Sequence, residues 1–336
     1  MSHQRSADDA LVATDAWFLQ HGLAYFVPET RASVRSALRW RRIAPLLAVT
    51  ALAGAGLAVT LSLLVDGDSF LPATLWTLFG VVATSYALTA LQAGSIVKWA
   101  LARTFGSLRT LLPMMTRALP LLLVFVTFLF INAEVWEVAS WLGTGELWLV
   151  SLLFGTLAGA FLMVRLPEEV DRTDDHVDEA LLLKSTTGTP LEQAARQLVD
   201  DPDAEPASYA EVSGYERWNL ILVLVVIQAT QVLLLAVTVF AFFMLFGALI
   251  MDPHIVESWT GGPPDSVPLV DNVTVELVRV SVFLAAFSSL YLTVSTVTDE
   301  TYRAQFFGSV LHEMERAVGV RAVYLALRDR RPVPEA

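Results

Sequence analysis

The 336-residue chain contains no cysteine, and only Lys98 and Lys184 among its 22 basic residues are lysines. Without a thiol there is no disulfide, thiolate metal site, iron–sulfur cluster or cysteine nucleophile, and the redox compartment is left open. Charge is scarce as well: 17% of residues are charged against 55% hydrophobic, with a mean hydropathy of +0.56. That balance belongs to membrane proteins rather than soluble ones. A net charge of −12 argues against a nucleic-acid partner. Residues 1–43 hold no short apolar core followed by a small-residue cleavage site, so no removable signal peptide is expected and the first span serves as its own insertion signal. The preference for Arg over Lys, with abundant Ala, Val and Leu, reads as high-GC coding in a bacterium.

What the chain has instead is long charge-free runs. The longest lies between Arg217 and Asp252; as a helix it reaches roughly 51 Å at about 1.5 Å per residue, against a hydrocarbon core of about 30 Å. Comparable runs place spans at about 44–65, 73–96, 118–131, 147–165, 218–251 and 277–297. The expected fold is therefore an all-α membrane protein, a six-transmembrane-helix bundle. In domain terms this gives an amphipathic, basic N-terminus at 1–43, spans one to four within 44–166, an acidic insertion at 167–217, spans five and six within 218–298, and an amphipathic C-terminus at 299–336.

The basic residues orient the bundle. Arg31, Arg35, Arg39, Arg41 and Arg42 precede span one, and Lys98, Arg103, Arg109 and Arg117 follow span two, on a segment expected to lie along the inner interface. With both termini inside, every basic residue except Arg279 falls on an inner segment. This predicts six spans, N-in and C-in, in a bacterial cytoplasmic membrane. Residues 165–217 carry 14 acidic against 5 basic residues and read as two or three short helices, the best marked by a capping box at Thr189, Pro190 and Glu192. Residues 7–24 predict an interfacial helix with Val12, Ala16, Leu19 and Leu23 on one stripe. At the other end, Tyr302, Phe306, Val310, Met314 and Ala317 predict a helix ending near Gly319, then a second short one. Similar Ser/Arg/Pro/Leu patterns before spans one and three suggest a faint parallel repeat.

Several constellations carry possible chemistry. Gln228 and Gln231 face one side of span five near mid-membrane, as packing glue or as the lining of a solute path. Glu134 and Glu137, interleaved with the interface aromatics Trp136 and Trp141, stand at a depth where Arg279 could pair with them. Ser151, Gly155 and Gly159 on span four, and Ser281, Ser288 and Ser295 on span six, form small-residue seams suited to close helix packing or to a dimer contact. Asp174, Asp175 and Asp178 fit D-D-x-x-D, a pattern of Mg²⁺-diphosphate sites, but without a second aspartate-rich motif a solvated acidic face is the plainer reading. Ser95 and Lys98 fit S-x-x-K without companion motifs. The five histidines are scattered, so neither paired-His haem ligation nor an intramembrane zinc motif is supported, and no cofactor is expected.

In its Arg-rich inner flanks, its Ala/Val/Leu spans and its short acidic insertion the chain is similar to uncharacterised multi-span integral membrane proteins of high-GC actinobacteria, a resemblance that supplies no functional residue. Three function classes follow. A membrane-embedded scaffold or regulatory protein, touching lipid and a second copy or another membrane protein, ranks first because no ionisable group lies in a span centre. A transporter or channel for a neutral or lipophilic solute comes next, resting on the paired glutamines and the repeat. A Mg²⁺-dependent enzyme using the Asp174–Asp178 tract comes last.

Overall fold

The computed structural model describes residues 2–64, 71–106, 123–174, 177–201, 204–265, 273–298 and 300–330. Arg109, Arg117, the second copy of the suggested repeat, Asp175, His176 and the side chains of Tyr302, Phe306 and Val310 lie outside the described residues. Within them the chain is all-helical. In chain order the helices are α1 Ser2–Gln20, α2 Pro28–Ala37, α3 Trp40–Leu64, α4 Leu71–Thr89, α5 Ala93–Gly106, α6 Leu123–Phe130 and α7 Ala133–Trp141. They continue with α8 Thr144–Asp174, α9 Glu179–Thr186, α10 Glu192–Val199, α11 Gly214–Ile250, α12 Pro253–Thr260, α13 Val275–Thr298 and α14 Glu300–Asp329. Short 3-10 turns stand at Ala24–Phe26 and Pro206–Tyr209.

Three helices are long and apolar enough to cross a membrane among the described residues: α8 over Gly145–Asp171, α11, and α13 over Val275–Ser295, of 27, 37 and 21 residues. Two bent pairs meet the same criteria, Leu78–Thr89 with α5 at 87° and α6 with α7 at 71°. The described residues thus support three to five candidate spans where the sequence predicts six. The expected second span, 73–96, is not one straight helix, and α8 runs on through Pro167, where the sequence suggested an end.

Both bends have local causes. At the first, Gln92 takes φ +54° and the Tyr86 carbonyl accepts from both Ala90 N and Leu91 N. The Tyr25 hydroxyl then donates to the Leu91 carbonyl at 2.7 Å. At the second, Asn132 is extended and its side chain accepts from Glu134 N, capping α7, while Trp136 Nε1 donates to the Phe130 carbonyl at 2.6 Å. A break in a helix orphans backbone carbonyls, and at each break an aromatic N–H or O–H takes one. Trp136 is accordingly fully buried and not a member of an interface belt, while Trp141 is exposed.

Contacts gather the helices into two compact units. The first comprises Met1–Ala102, Arg172–Val223 and Met314–Ala336. Here α1 buries Leu11, Thr14 and Phe18 and leaves Val12 69% exposed, so its inward stripe is rotated from the one expected. Phe18 packs edge-on against Tyr324 and beside Phe26, and the Tyr324 hydroxyl donates to Asp15 at 2.8 Å. A buried aromatic of this size contributes about 1.5–3 kcal/mol by burial. The acidic insertion supplies α9, α10 and the second 3-10 turn; Thr189 Oγ1 accepts from Leu191 N and Glu192 accepts from Gly188 N, but α10 begins only at Glu192 with Leu191 at its N-cap, so these side chains bond in the turn before the helix and do not form the expected capping box. Helix α3 packs along α4.

The second unit comprises Arg103–Asp171 and Leu224–Glu313. Its core is aromatic: Phe130 stacks on Phe243 at 4.8 Å and meets Trp136 edge-on, and Phe154 packs against Phe283 and Phe287. Gly247 lets Leu277 and Phe130 pack against the α11 backbone. The segment after α11, expected as a loop, holds α12, which packs on α7 with Trp259 edge-on to Trp136.

Helix α14 passes unbroken through Gly319, where the sequence suggested a terminus. The glycine serves packing instead: a Cβ there would stand 2.5 Å from Ser185 Oγ and 2.6 Å from its Cβ, on α9. Gly319→Ala should therefore push α9 off α14 and cost about 1–3 kcal/mol. Thermal unfolding in detergent should show a lowered Tm, partly restored by adding Ser185→Gly; an unchanged Tm for the single variant would refute the close approach.

Candidate functional site

The polar side chains concentrate in two places, one in each unit. In the first, the opening turn of α11 carries Glu216, 3% exposed. Its Oε1 accepts from Arg31 of α2 at 2.5 Å, and its Oε2 from Arg321 Nε and Nη2 at 2.6 and 2.5 Å. The remaining Arg321 nitrogen, Nη1, donates to the carbonyls of Tyr209 and Glu211. One carboxylate thus joins α2, the insertion and α14. About one turn on, Asn219 is fully buried; its Oδ1 accepts from Tyr25 N and its Nδ2 donates to the Gly22 carbonyl. Gly22 takes φ +71° with Trp99 3.0 Å from where its Cβ would be, so glycine is needed there for conformation and for space.

Around this cluster Arg35 lies over the Tyr215 ring, and Arg316 lies over Trp17 while donating to the Ser185 and Thr187 carbonyls at the end of α9. Burial, and secondarily the hydrogen bond to Asp15, pushes the Tyr324 hydroxyl above its ordinary value. The protonated phenol is the form that the fold favours. Its contribution is complete below the unfolded pKa near 10 and is lost as pH rises through the higher folded value. These groups hold chain segments together.

In the second unit, Gln228 and Gln231 are 2% and 7% exposed. Gln228 Nε2 and Gln231 Oε1 are buried with no hydrogen-bond partner among the described residues. The span-six serines were possible partners, and helix register decides which are in reach. From the Gly247–Leu277 contact, Gln231 lies about 24 Å along α11, level with Thr293, and Ser295 comes level with Ala229. Helix α6 agrees with this register, with Phe130 on Phe243 and Phe125 beside Phe287. Ser281 and Ser288 stand nearer the other end; both are fully buried, the first without a partner and the second bonded to the Leu284 carbonyl. Only Ser295 of that seam shares the glutamines' depth.

The other sequence candidates fall apart spatially. Arg279 donates to the Ser140 carbonyl at the end of α7 at 2.7 Å, and no ion pair joins it to Glu134 or Glu137 among the described residues. Both glutamates are exposed. Glu276, one turn before Arg279, is buried, with Oε1 facing Asp265 N and Oε2 unpaired among the described residues. Gly155 and Gly159 have open space where a Cβ would stand, so no helix among the described residues packs closely there, and Ser151 bonds to its own helix at the Leu147 carbonyl. Asp178 caps α9 by accepting from Leu181 N, and no group of three or more His, Asp or Glu is arranged for a metal among the described residues. A groove of about 450 Å³ lies along one face of α4, lined among the described residues by Gly80, Val81, Thr84, Ser85, Leu88 and Thr89. The chain matches no family model, no curated protein and no solved structure at a significant level.

Breaking one side of a buried ion pair strands the other charge and costs about 3–5 kcal/mol. Glu216→Leu should therefore unfold the first unit at markedly lower temperature, and adding Arg321→Met should recover much of the loss; a double variant no better than the single one counts against the pairing. For the second unit, Gln228→Leu with Gln231→Leu removes unpaired buried amides and should raise Tm by a few degrees, about 1–2 kcal/mol. A fall in Tm would mean that water or a solute completes these amides.

Proposed function

We propose that this protein is a membrane-embedded scaffold or regulatory protein of a bacterial cytoplasmic membrane, with six spans and both termini inside. The reading is carried by the way ionised side chains are used in the first unit. Glu216, Arg31, Arg321, Arg316 and Asp15 tie the N-terminal helices, the acidic insertion and the C-terminal helix into one head. Such a rigid, tied head suits docking of a partner. Helix α3 carries no charge after Arg42 and, in this topology, supplies span one, while α4, the α6 segment, α8, α11 and α13 supply the others.

The span interiors support the same reading. Coupling-ion pathways usually need an ionisable group in mid-membrane, and the central polar groups here are the amides of Gln228 and Gln231. Those same amides support a second reading, a transporter or channel for a neutral solute, because a polar group buried without a partner is expensive unless something visits it.

Topology and partnership are tested together in the native membrane. The protein should resist alkaline extraction, reporters fused at both termini should read as cytoplasmic, and a reporter inserted at Gly262 should read as external. Cross-linking followed by purification should retain a stoichiometric partner, attached through the head. A protein that purifies alone, and whose proteoliposomes take up a neutral solute only while Gln228 and Gln231 are intact, would overturn the scaffold reading in favour of transport.

A further inference from the structure

Five arginines precede α3, and the structure divides them by what they do. Arg31 is spent on Glu216 and Arg35 on the Tyr215 ring. Arg39, Arg41 and Arg42 are exposed and have no carboxylate partner among the described residues; Arg42 makes one long side-chain contact, 3.4 Å to Ser36 Oγ. Between and beside them Trp40 is 71% exposed and Leu38 42%. Three guanidiniums in four positions, in a chain of net charge −12, form a local concentration of positive charge that no carboxylate among the described residues neutralises.

The level of this cluster within its unit is fixed independently. The Tyr86 hydroxyl, about one turn before α4 ends, donates to the Ala37 carbonyl at the end of α2 at 2.7 Å. The end of α4 and the α2–α3 junction therefore stand side by side. Just beyond, α5 turns off at 87° to α4. Apolar helices begin or end at this level and a helix turns aside from it, which is how a chain meets a membrane face, and an exposed Trp is the side chain suited to that depth.

We infer that Arg39, Arg41 and Arg42, with Trp40, form a docking surface for the phosphate headgroups of anionic lipids. The indole sits at the headgroup level while the guanidiniums, always charged and rich in donors, take the phosphate oxygens. The attraction grows by about fivefold for each cation held near an anionic surface. Ser36 and the backbone of the junction hold the cluster in place without neutralising it. This rests on the membrane reading above.

The test uses the full-length protein in vesicles of equal phosphatidylglycerol and phosphatidylethanolamine, extracted gently, with the retained lipids quantified by mass spectrometry. Wild type should retain phosphatidylglycerol in preference. The triple variant R39Q/R41Q/R42Q should lose that preference by about tenfold or more, while R39K/R41K/R42K, which keeps the charge, should hold it within about threefold. Arg103→Gln is the control, since Arg103 is already paired with Glu313 at 2.8 Å, and should leave the preference unchanged. Undiminished preference in the glutamine variant, or an equal loss on Arg103→Gln, would overturn the assignment. Wild type that integrates into vesicles without preferring phosphatidylglycerol would overturn it while sparing the membrane reading; wild type that fails to integrate would overturn both.

Discussion

A carboxylate removed from water must be matched by charge and hydrogen bonds on both oxygens, and in this protein that requirement gathers the chain. Glu216 is satisfied only when Arg31 from α2 and Arg321 from α14 arrive together, and Arg321 in turn is satisfied only when the Tyr209 and Glu211 carbonyls are in place. Three segments far apart in sequence are thus made mutually dependent. Asn219 extends the same logic to the neutral backbone, since its amide completes both the Tyr25 N–H and the Gly22 carbonyl. Apolar burial around Phe18, Phe26 and Tyr324 supplies driving force, but it is non-directional; the ionic and amide bonds set which surfaces meet.

Backbone satisfaction plays the corresponding part where helices break. An apolar helix satisfies its own backbone, so a break in or near a membrane exposes carbonyls that water cannot freely reach. Tyr25 at Leu91 and Trp136 at Phe130 meet that demand from outside the helix. By residue type alone Trp136 reads as an interfacial aromatic, while Tyr25 gives no sign of its role. Their polar atoms show them to be structural parts of the bends, and the burial of Trp136 follows from that.

How far the sequence could be read depends on the range of the interaction. Apolar run length is local, so the helices at α8, α11 and α13 are legible, whereas the start expected at Thr189 is displaced to Glu192. The break at Gln92 was not, because no residue there favours positive φ strongly and the stabilising hydroxyl comes from Tyr25. In α1 the stripes Val12, Ala16, Leu19 and Leu11, Thr14, Phe18 are close competitors in periodicity, and only the presence of Tyr324 selects the second. Gly319 reads as a terminator until Ser185 is found beside it. For the candidate site, the burial of Gln228 and Gln231 was legible from their place in an apolar run, but the depth mismatch with Ser281 and Ser288 was not, because register belongs to helix pairs. The pairing of Arg279 with Glu134 or Glu137 assumed that a cation seeks an anion, whereas the carbonyl end of α7 offers it a partner of its own.

The distribution of ionisable groups also limits what kind of switch the protein can contain. In the second unit, Glu169 is held by Arg165, and Glu276 lies in the first turn of α13; both sit near helix ends, and within α11 and α13 the buried mid-helix polar groups among the described residues are amides and hydroxyls, which carry no charge to move. A change of state there would have to come through packing, around an aromatic core whose stacked rings leave few alternative arrangements. In the first unit, charge is dense and divided between groups locked into the fold and groups left outside it. Arg31 and Arg321 cannot leave Glu216 without stranding it, whereas Arg39, Arg41 and Arg42 can change partners at no internal cost.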